Sequence, residues 1–343
     1  MSDVTITAPR RFRPAATRRV QVLVALAALV SALMLLTLSC GRGCLPPGDV
    51  WAALRGAPGA NASFVVADLR LPRAVMGLLA GASFGLGGVA FQIMLRNPLA
   101  SPDIIGISAS AGAAAVFAIV ILALDGWLVS LVAVVAGLGV AAMIWALSSR
   151  RGAAGARLIL IGIGVSAMLD SVTAYVLLEA PAWDRAEAMR WLTGSLNGMQ
   201  LVQALPVAGA LLVFGGLLAV TARDLEVLRL GDDTAEALGV RADATRLRVT
   251  LAAVGLVAIA TAATGPIAFV AFLSGPIAAR LLPGTTGLLL GAGLVGALLV
   301  IAGDFVGQFL LPARLPVGVV TGAVGAPFLL YLIVRANRNG GTL

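Results

Sequence analysis

Uncharged apolar runs alternate with short polar connectors along almost the whole chain. Residues 20–38, 74–95, 104–124, 127–147, 201–222 and 316–334 carry no charge, and a run of about 18 such residues can cross a bilayer as a helix. Residues 158–178 are apolar apart from Asp170, and residues 287–311 apart from Asp304. The stretch 249–279 is longer still and uncharged. As one helix it would run about 46 Å, against a hydrocarbon core of about 30 Å. Gly265-Pro266 and Gly275-Pro276 interrupt it, so two shorter helices with a turn at Gly265-Pro266 are expected. The pattern predicts an all-α, polytopic membrane protein of about ten transmembrane helices.

Composition narrows the function. Hydrophobic residues make up 60% of the 343 and charged residues 12%, with a mean hydropathy of +1.02; a soluble domain is about one quarter charged. Every one of the 24 basic residues is Arg, and His is absent. A phosphate-binding Walker A loop needs a Lys, so any ATP that drives this protein is hydrolysed on another chain. With no His and only Cys40 and Cys44, no metal or haem centre and no bound cofactor are expected of this chain. The two cysteines leave a disulfide or a lipid attachment open.

Charge also orients the spans. Arg10, Arg11, Arg13, Arg18 and Arg19 precede the first apolar run, which is longer than the 7–15 residues usual in a cleaved signal peptide. With ten spans and the N-terminus inside, the cytosolic segments also hold Arg96, Arg150, Arg151, Arg157, Arg223, Arg229, Arg241, Arg246, Arg248, Arg280, Arg335 and Arg338, making 17 of the 24 and satisfying the positive-inside rule. Fusing 249–279 into one span would move the last three outside. Residues 1–19 are thus read as an Arg-rich cytosolic N-terminus and 20–335 as one transmembrane domain. A charged cytosolic loop lies at 223–248, and a cytosolic tail at 336–343. The net charge of +8 is this orientation signal plus attraction to anionic lipid, not a nucleic-acid footprint. Gly77, Gly81 and Gly85 recur every four residues, as do Gly287 and Gly291, and Gly318 and Gly322. That spacing lets helix backbones approach closely and predicts a tight bundle rather than a pore.

The connector "RNPLASPDIIG" (residues 96–106) is polar for its place between two spans. Pro98 and Pro102 stop a helix, while Ser101 and Asp103 can cap the next with Pro102 at its first position. The wider segment 70–113, "RLPRAVMGLLAGASFGLGGVAFQIMLRNPLASPDIIGISASAGA", resembles the signature region of the FecCD family, the permeases of type II ABC importers for ferric siderophores, haem and cobalamin. "LGDDTAEALGV" (230–240), "GPIAFVAF" (265–272) and "LPVGVVTGAVGAPFLLYLI" (315–333) resemble later family segments in the correct order.

The resemblance implies a bacterial inner-membrane permease with both termini cytosolic. Its implied partners are two ABC ATPase subunits using ATP and Mg, a second permease of the same or a related chain, and an extracytoplasmic siderophore-binding protein. Asn97 and Leu99 correspond to the cytosolic gate, Asn97 bonding across a dimer axis that Leu99 plugs. A polar turn at membrane depth is tolerated where it lines a closing cavity. Arg70 and Arg73 correspond to cations that dock the binding protein. The family's Arg and Glu beyond Asp304 are here Gln308 and Arg314, so Arg314 is a substitute docking charge. In "SGPIAAR" (274–280) the eighth span departs from the family form as well.

Asp232, Asp233, Ala235, Leu238 and Gly239 correspond to the segment that couples to the ATPase. Taken by itself, it reads as a short helix with the two Asp at its start and Gly239 at its end. Ala235 and Leu238 are expected on one face. Asp170 is ionisable within a span, which marks a functional candidate; it either meets a ligand in the pathway or pairs with Ser166 or Thr173 on its own helix. Asp304 is expected to be structural or near the outer vestibule. The preferred cargo is a ferric siderophore, with haem or cobalamin as alternatives. A rival of another class is an ion-gradient carrier relaying ions through Asp170 and Asp304, against which the charged loop 223–248 argues. A structural or assembly membrane protein is disfavoured by the polar turn.

Overall fold

The computed structural model describes residues 12–41, 43–56, 64–148, 154–284 and 286–338; Arg10, Arg11, Arg150, Arg151 and residues 339–343 lie outside them. Among the described residues there are helices and no strands. They are α1 (Phe12–Ser39), α2 (Pro47–Leu54), α3 (Leu71–Met94), α4 (Ile107–Val120), α5 (Trp127–Ser148), α6 (Ala154–Glu179), α7 (Ala182–Leu192), α8 (Ala204–Ala210), α9 (Gly216–Leu228), α10 (Asp232–Ala237), α11 (Ala242–Thr264), α12 (Val270–Leu281), α13 (Leu288–Phe305) and α14 (Val317–Arg338). A π-helical turn, Phe64–Arg70, continues into α3, and another, Leu211–Gly215, joins α8 to α9. Seven helices are long and apolar enough to cross a membrane, and Ile107–Val120, Val270–Leu281 and Val317–Leu332 are shorter apolar ones. Together these match the ten expected spans. The polar α7 and the short α2 lie in connectors that hydrophobicity alone leaves as loops.

Two spans are shorter than the apolar runs that contain them. The run at 104–124 yields only the 14 residues of α4, about 21 Å of helix. Gly106 and Ala123 adopt left-handed backbone (φ +75° and +50°) and cut it at both ends. Ser101 accepts from the Asp103 amide at 3.4 Å, so it caps only the single 3-10 turn Pro102–Ile105 and not the long helix expected there. In the run at 249–279, the turn at Gly265-Pro266 forms as expected, between α11 and α12. The second expected break does not: α12 continues through Pro276. Proline lacks the amide that would reach the carbonyl four residues back, which leaves Phe272 O without its helical partner. Buried Gln92 of α3 donates its side-chain amide to that oxygen at 2.9 Å.

The core lies around α3 and α11, whose membrane-length windows are 72% buried, against 6% for α6. A Cβ on Gly81 would fall 2.5 Å from Gly296 O, and one on Gly85 2.1 Å from Ala292 O. The four-residue glycine spacing of α3 therefore seats it directly against α13, backbone on backbone. Gly77, at the end of the same stripe, meets side chains of Leu196 and Ile301 instead.

Candidate functional site

At the Arg-rich end, α3 stops in a Schellman turn: Arg96 N–H donates to Ile93 O at 3.1 Å and Asn97 N–H to Gln92 O at 3.0 Å. The left-handed residue of such a turn is usually Gly; here it is Arg96, at φ +51°. The Asn97 side-chain oxygen accepts from Leu99 N–H at 2.9 Å, so within one chain it stiffens its own turn. Leu99 packs against the buried cluster of Phe272, Leu273 and Leu332. Arg96, Asn97, Leu99, Arg229 and Arg280 line a cavity of about 450 Å³ together with apolar Val89, Ile93 and Leu288. Arg280 lies over the rings of Phe328 and Tyr331 at 5.6 and 5.4 Å, within the range of cation–π attraction.

The charged loop expected at 223–248 is largely helical. α9 runs on to Leu228, α10 spans Asp232–Ala237, and α11 begins at Ala242. α10 begins and ends where its residues predict. Gly239 (φ +85°) closes it, with Gly239 N–H donating to Glu236 O and Val240 N–H to Ala235 O, both at 2.9 Å. Ala235 and Leu238 do not share a face. Ala235 is fully buried against Leu228 and Ala242, whereas Leu238 is 62% exposed, because the helix ends at Ala237 and Leu238 lies past its last turn. Asp232 accepts from Arg246 at 2.6 Å and pairs with Arg96 at 3.5 Å.

At the opposite end, the guanidinium of Arg70 donates to Leu38 O at 2.9 Å, Ser39 O at 2.8 Å and Gly43 O at 3.1 Å. It thus satisfies carbonyls that the end of α1 leaves without helical partners. Cys40 and Cys44 are joined by a disulfide within the same turn. Arg73 pairs through two nitrogens with both oxygens of Asp304 and donates to Asn197 at 2.8 Å. Arg70, Arg73, Asp304 and Phe309 surround one small cavity. Arg314 is exposed, and buried Gln308 donates to Leu315 O at 3.4 Å. Spacing gives no hint of the Arg73–Asp304 pair, which joins residues 231 apart.

Asp170 is exposed on α6 and lines a cavity of about 400 Å³ with Asp103, Ser108, Ser166 and Thr173. The pairing expected along its own helix does not form. Thr173 donates to Leu169 O at 2.8 Å, and the Ser166 hydroxyl, shut from solvent, has no hydrogen-bond partner. Asp103 accepts from the hydroxyls of Ser101 and Ser108. Burial pushes its carboxyl above the ordinary range, and the two hydroxyls draw it back. Asp103 reads from the sequence as a cap alone; only the fold places it beside Asp170. Among the described residues, no group of three His, Cys, Asp or Glu side chains is placed to hold a metal ion.

Comparison with known proteins follows the same outline. The model of the FecCD transport family matches residues 28–335. The ferric enterobactin transport system permease protein FepG of Escherichia coli is 38% identical over 299 residues, covering 87% of this chain and 91% of that one. The achromobactin transport system permease protein CbrC of Dickeya dadantii is 39% identical over 314 residues, 90% of each chain. A solved ABC transporter described as of the metal-chelate type, in an inward-facing conformation, superposes with a TM-score of 0.78 at 25% identity, covering 92% of this chain and 99% of that one.

Proposed function

From the premise that this chain belongs to the FecCD transport family, we propose that it imports a ferric siderophore by alternating access, driven by a separate ATPase pair. The observation that carries the cargo is the likeness, over about nine-tenths of the chain, to permeases named for ferric enterobactin and achromobactin. The chain itself does no covalent chemistry. ATP and Mg belong to the partner ATPase, a binding protein delivers the chelate from outside, and a second permease completes the pathway. The Arg-rich end faces the cytosol, with both termini there. The disulfide Cys40–Cys44 supports this orientation, since such bonds persist in oxidising compartments.

In this reading, residues 96–106 form the cytosolic gate turn, with Asn97 holding its shape and Leu99 presenting the plug. α10 couples to the ATPase through Asp232, Asp233 and Gly239, which set its ends, with Ala235 on its inner side and Leu238 exposed for contact. Arg70, Arg73 and Arg314 form the outer docking face, Arg314 as its exposed cation and Arg70 and Arg73, engaged within the chain, as the residues that hold its shape. The rival ion relay loses a member, because Asp304 is held on both oxygens by Arg73. With both of its oxygens already engaged by a guanidinium fork, this carboxylate is poorly placed to take up and pass on an ion. Asp170, beside Asp103 in an open cavity, lines the pathway.

The test is reconstitution with the co-purifying ATPase and binding protein, followed by uptake of radio-iron as ferric enterobactin, ferric achromobactin and ferric citrate. Uptake of one chelate that stops without ATP is expected. Uptake that persists without ATP and collapses with the ion gradient would move the gradient carrier to the front.

A further inference from the structure

The residue in the left-handed position after α3 is Arg96, although glycine fits that position without strain. A non-glycine residue held there costs on the order of 1 kcal/mol of backbone strain and persists only where its surroundings fix it. What the Arg96 side chain reaches is Asp232, the first residue of α10, at 3.5 Å. Gly231, at φ +105°, brings the chain up to the same guanidinium; a Cβ there would lie 3.6 Å from it. Asp232 is not free to drift toward Arg96, because Arg246 of α11 holds the same carboxylate oxygen at 2.6 Å. One oxygen therefore joins three elements: the gate turn, the coupling helix and the helix that follows it.

Resting on the gate and coupling roles proposed above, we propose that Asp232 is a positioning residue for transport. It ties the coupling helix to the gate turn through Arg96, and Arg246 aims it. Arg246 keeps the carboxylate with the α10–α11 unit, so a displacement of that unit pulls or releases Arg96. Arg96 is the residue directly before Asn97, whose side chain in turn holds Leu99 N–H. The path from α10 to the plug is thus one ion pair, one peptide bond and one hydrogen bond. The Arg96–Asp232 pair is partly exposed, with 46% and 39% of the two side chains accessible. A contact of that kind is weak enough to break and re-form during a transport cycle.

The test uses the whole complex of permease, ATPase and binding protein in lipid vesicles, carrying Leu99→Cys as a reporter. Reaction of that cysteine with a water-soluble maleimide is followed with and without ATP and vanadate, and phosphate release is measured on the same samples. In the otherwise unaltered complex the nucleotide changes the labelling rate. Adding Arg96→Gly relieves the backbone strain, so the chain folds at least as well. The nucleotide-dependent change is nonetheless expected to shrink about threefold, the scale of one exposed ion pair, while hydrolysis continues. Asp232→Asn has the same effect, the double variant is no worse than either single one, and Asp232→Glu restores much of the response. A response that survives intact in Arg96→Gly, or losses that add in the double variant, overturns the tie. No nucleotide response even with Leu99→Cys alone overturns the gate role, and the tie falls with it.

Discussion

Gln92 shows how one side chain can carry the cost of a proline. Pro276 removes a donor inside α12, and the Gln92 amide replaces it at Phe272 O. The backbone of the same residue accepts from Asn97 N–H, so Gln92 fixes α12 and the turn after α3 together. A buried acceptor left without a donor costs about 1–3 kcal/mol. Gln92→Leu is therefore expected to destabilise the permease by about 2 kcal/mol, read as a lower temperature for loss of monodisperse protein in detergent. Gln92→Glu should be no better, since a carboxylate brings a second acceptor to a carbonyl that needs a donor. An unchanged melting temperature in both variants would remove this role.

At the scale of elements, the contact between α3 and α13 is set by the absence of side chains. Gly85 has no room for even a methyl group, whereas nothing lies within 4 Å of a Cβ built on Gly216 in α9. Gly85→Val must push two membrane helices apart. Overpacking of this kind costs about 1–3 kcal/mol, seen as a lower yield of folded permease. Gly216→Ala should be tolerated, with a gain of up to about 1 kcal/mol from reduced chain entropy. Equal yields for the two variants would contradict the close approach. The glycine spacing itself was readable without coordinates. Which helix it meets was not, because α13 follows α3 by some two hundred residues and periodicity records only that a face is buried.

For the whole molecule, the uncovered surface is as informative as the core. α6 is the least buried of the long spans and carries exposed Asp170. A carboxylate facing lipid near the bilayer centre costs about 2.5–3.5 kcal/mol on insertion scales, so this face is expected to meet water or protein instead. The second permease proposed above, of the same or a related chain, and the pathway between the two would supply both. Asp170→Cys in the assembled complex should react with a water-soluble maleimide faster than with a lipid-confined one. The opposite order of rates would place α6 against lipid and the permease partner on another face.

Hydrophobic runs, proline pairs and helix caps act over a few residues, so the sequence alone was enough to determine ten spans, the turn at Gly265-Pro266 and the two ends of α10. The ordered family segments were legible for the same reason. The lengths of α4 and α12 were not: apolar composition permits a helix, but it does not say where the backbone turns left-handed at Gly106 and Ala123, or who supplies the donor that Pro276 lacks. The exposure of Leu238 depended on where a six-residue helix stops, a difference of one residue. Arg73 with Asp304, Gln92 with Phe272 and Arg96 with Asp232 join segments 231, 180 and 136 residues apart. Such pairs are decided only in the tertiary structure, because packing sets the register of one helix against another and no local pattern encodes it.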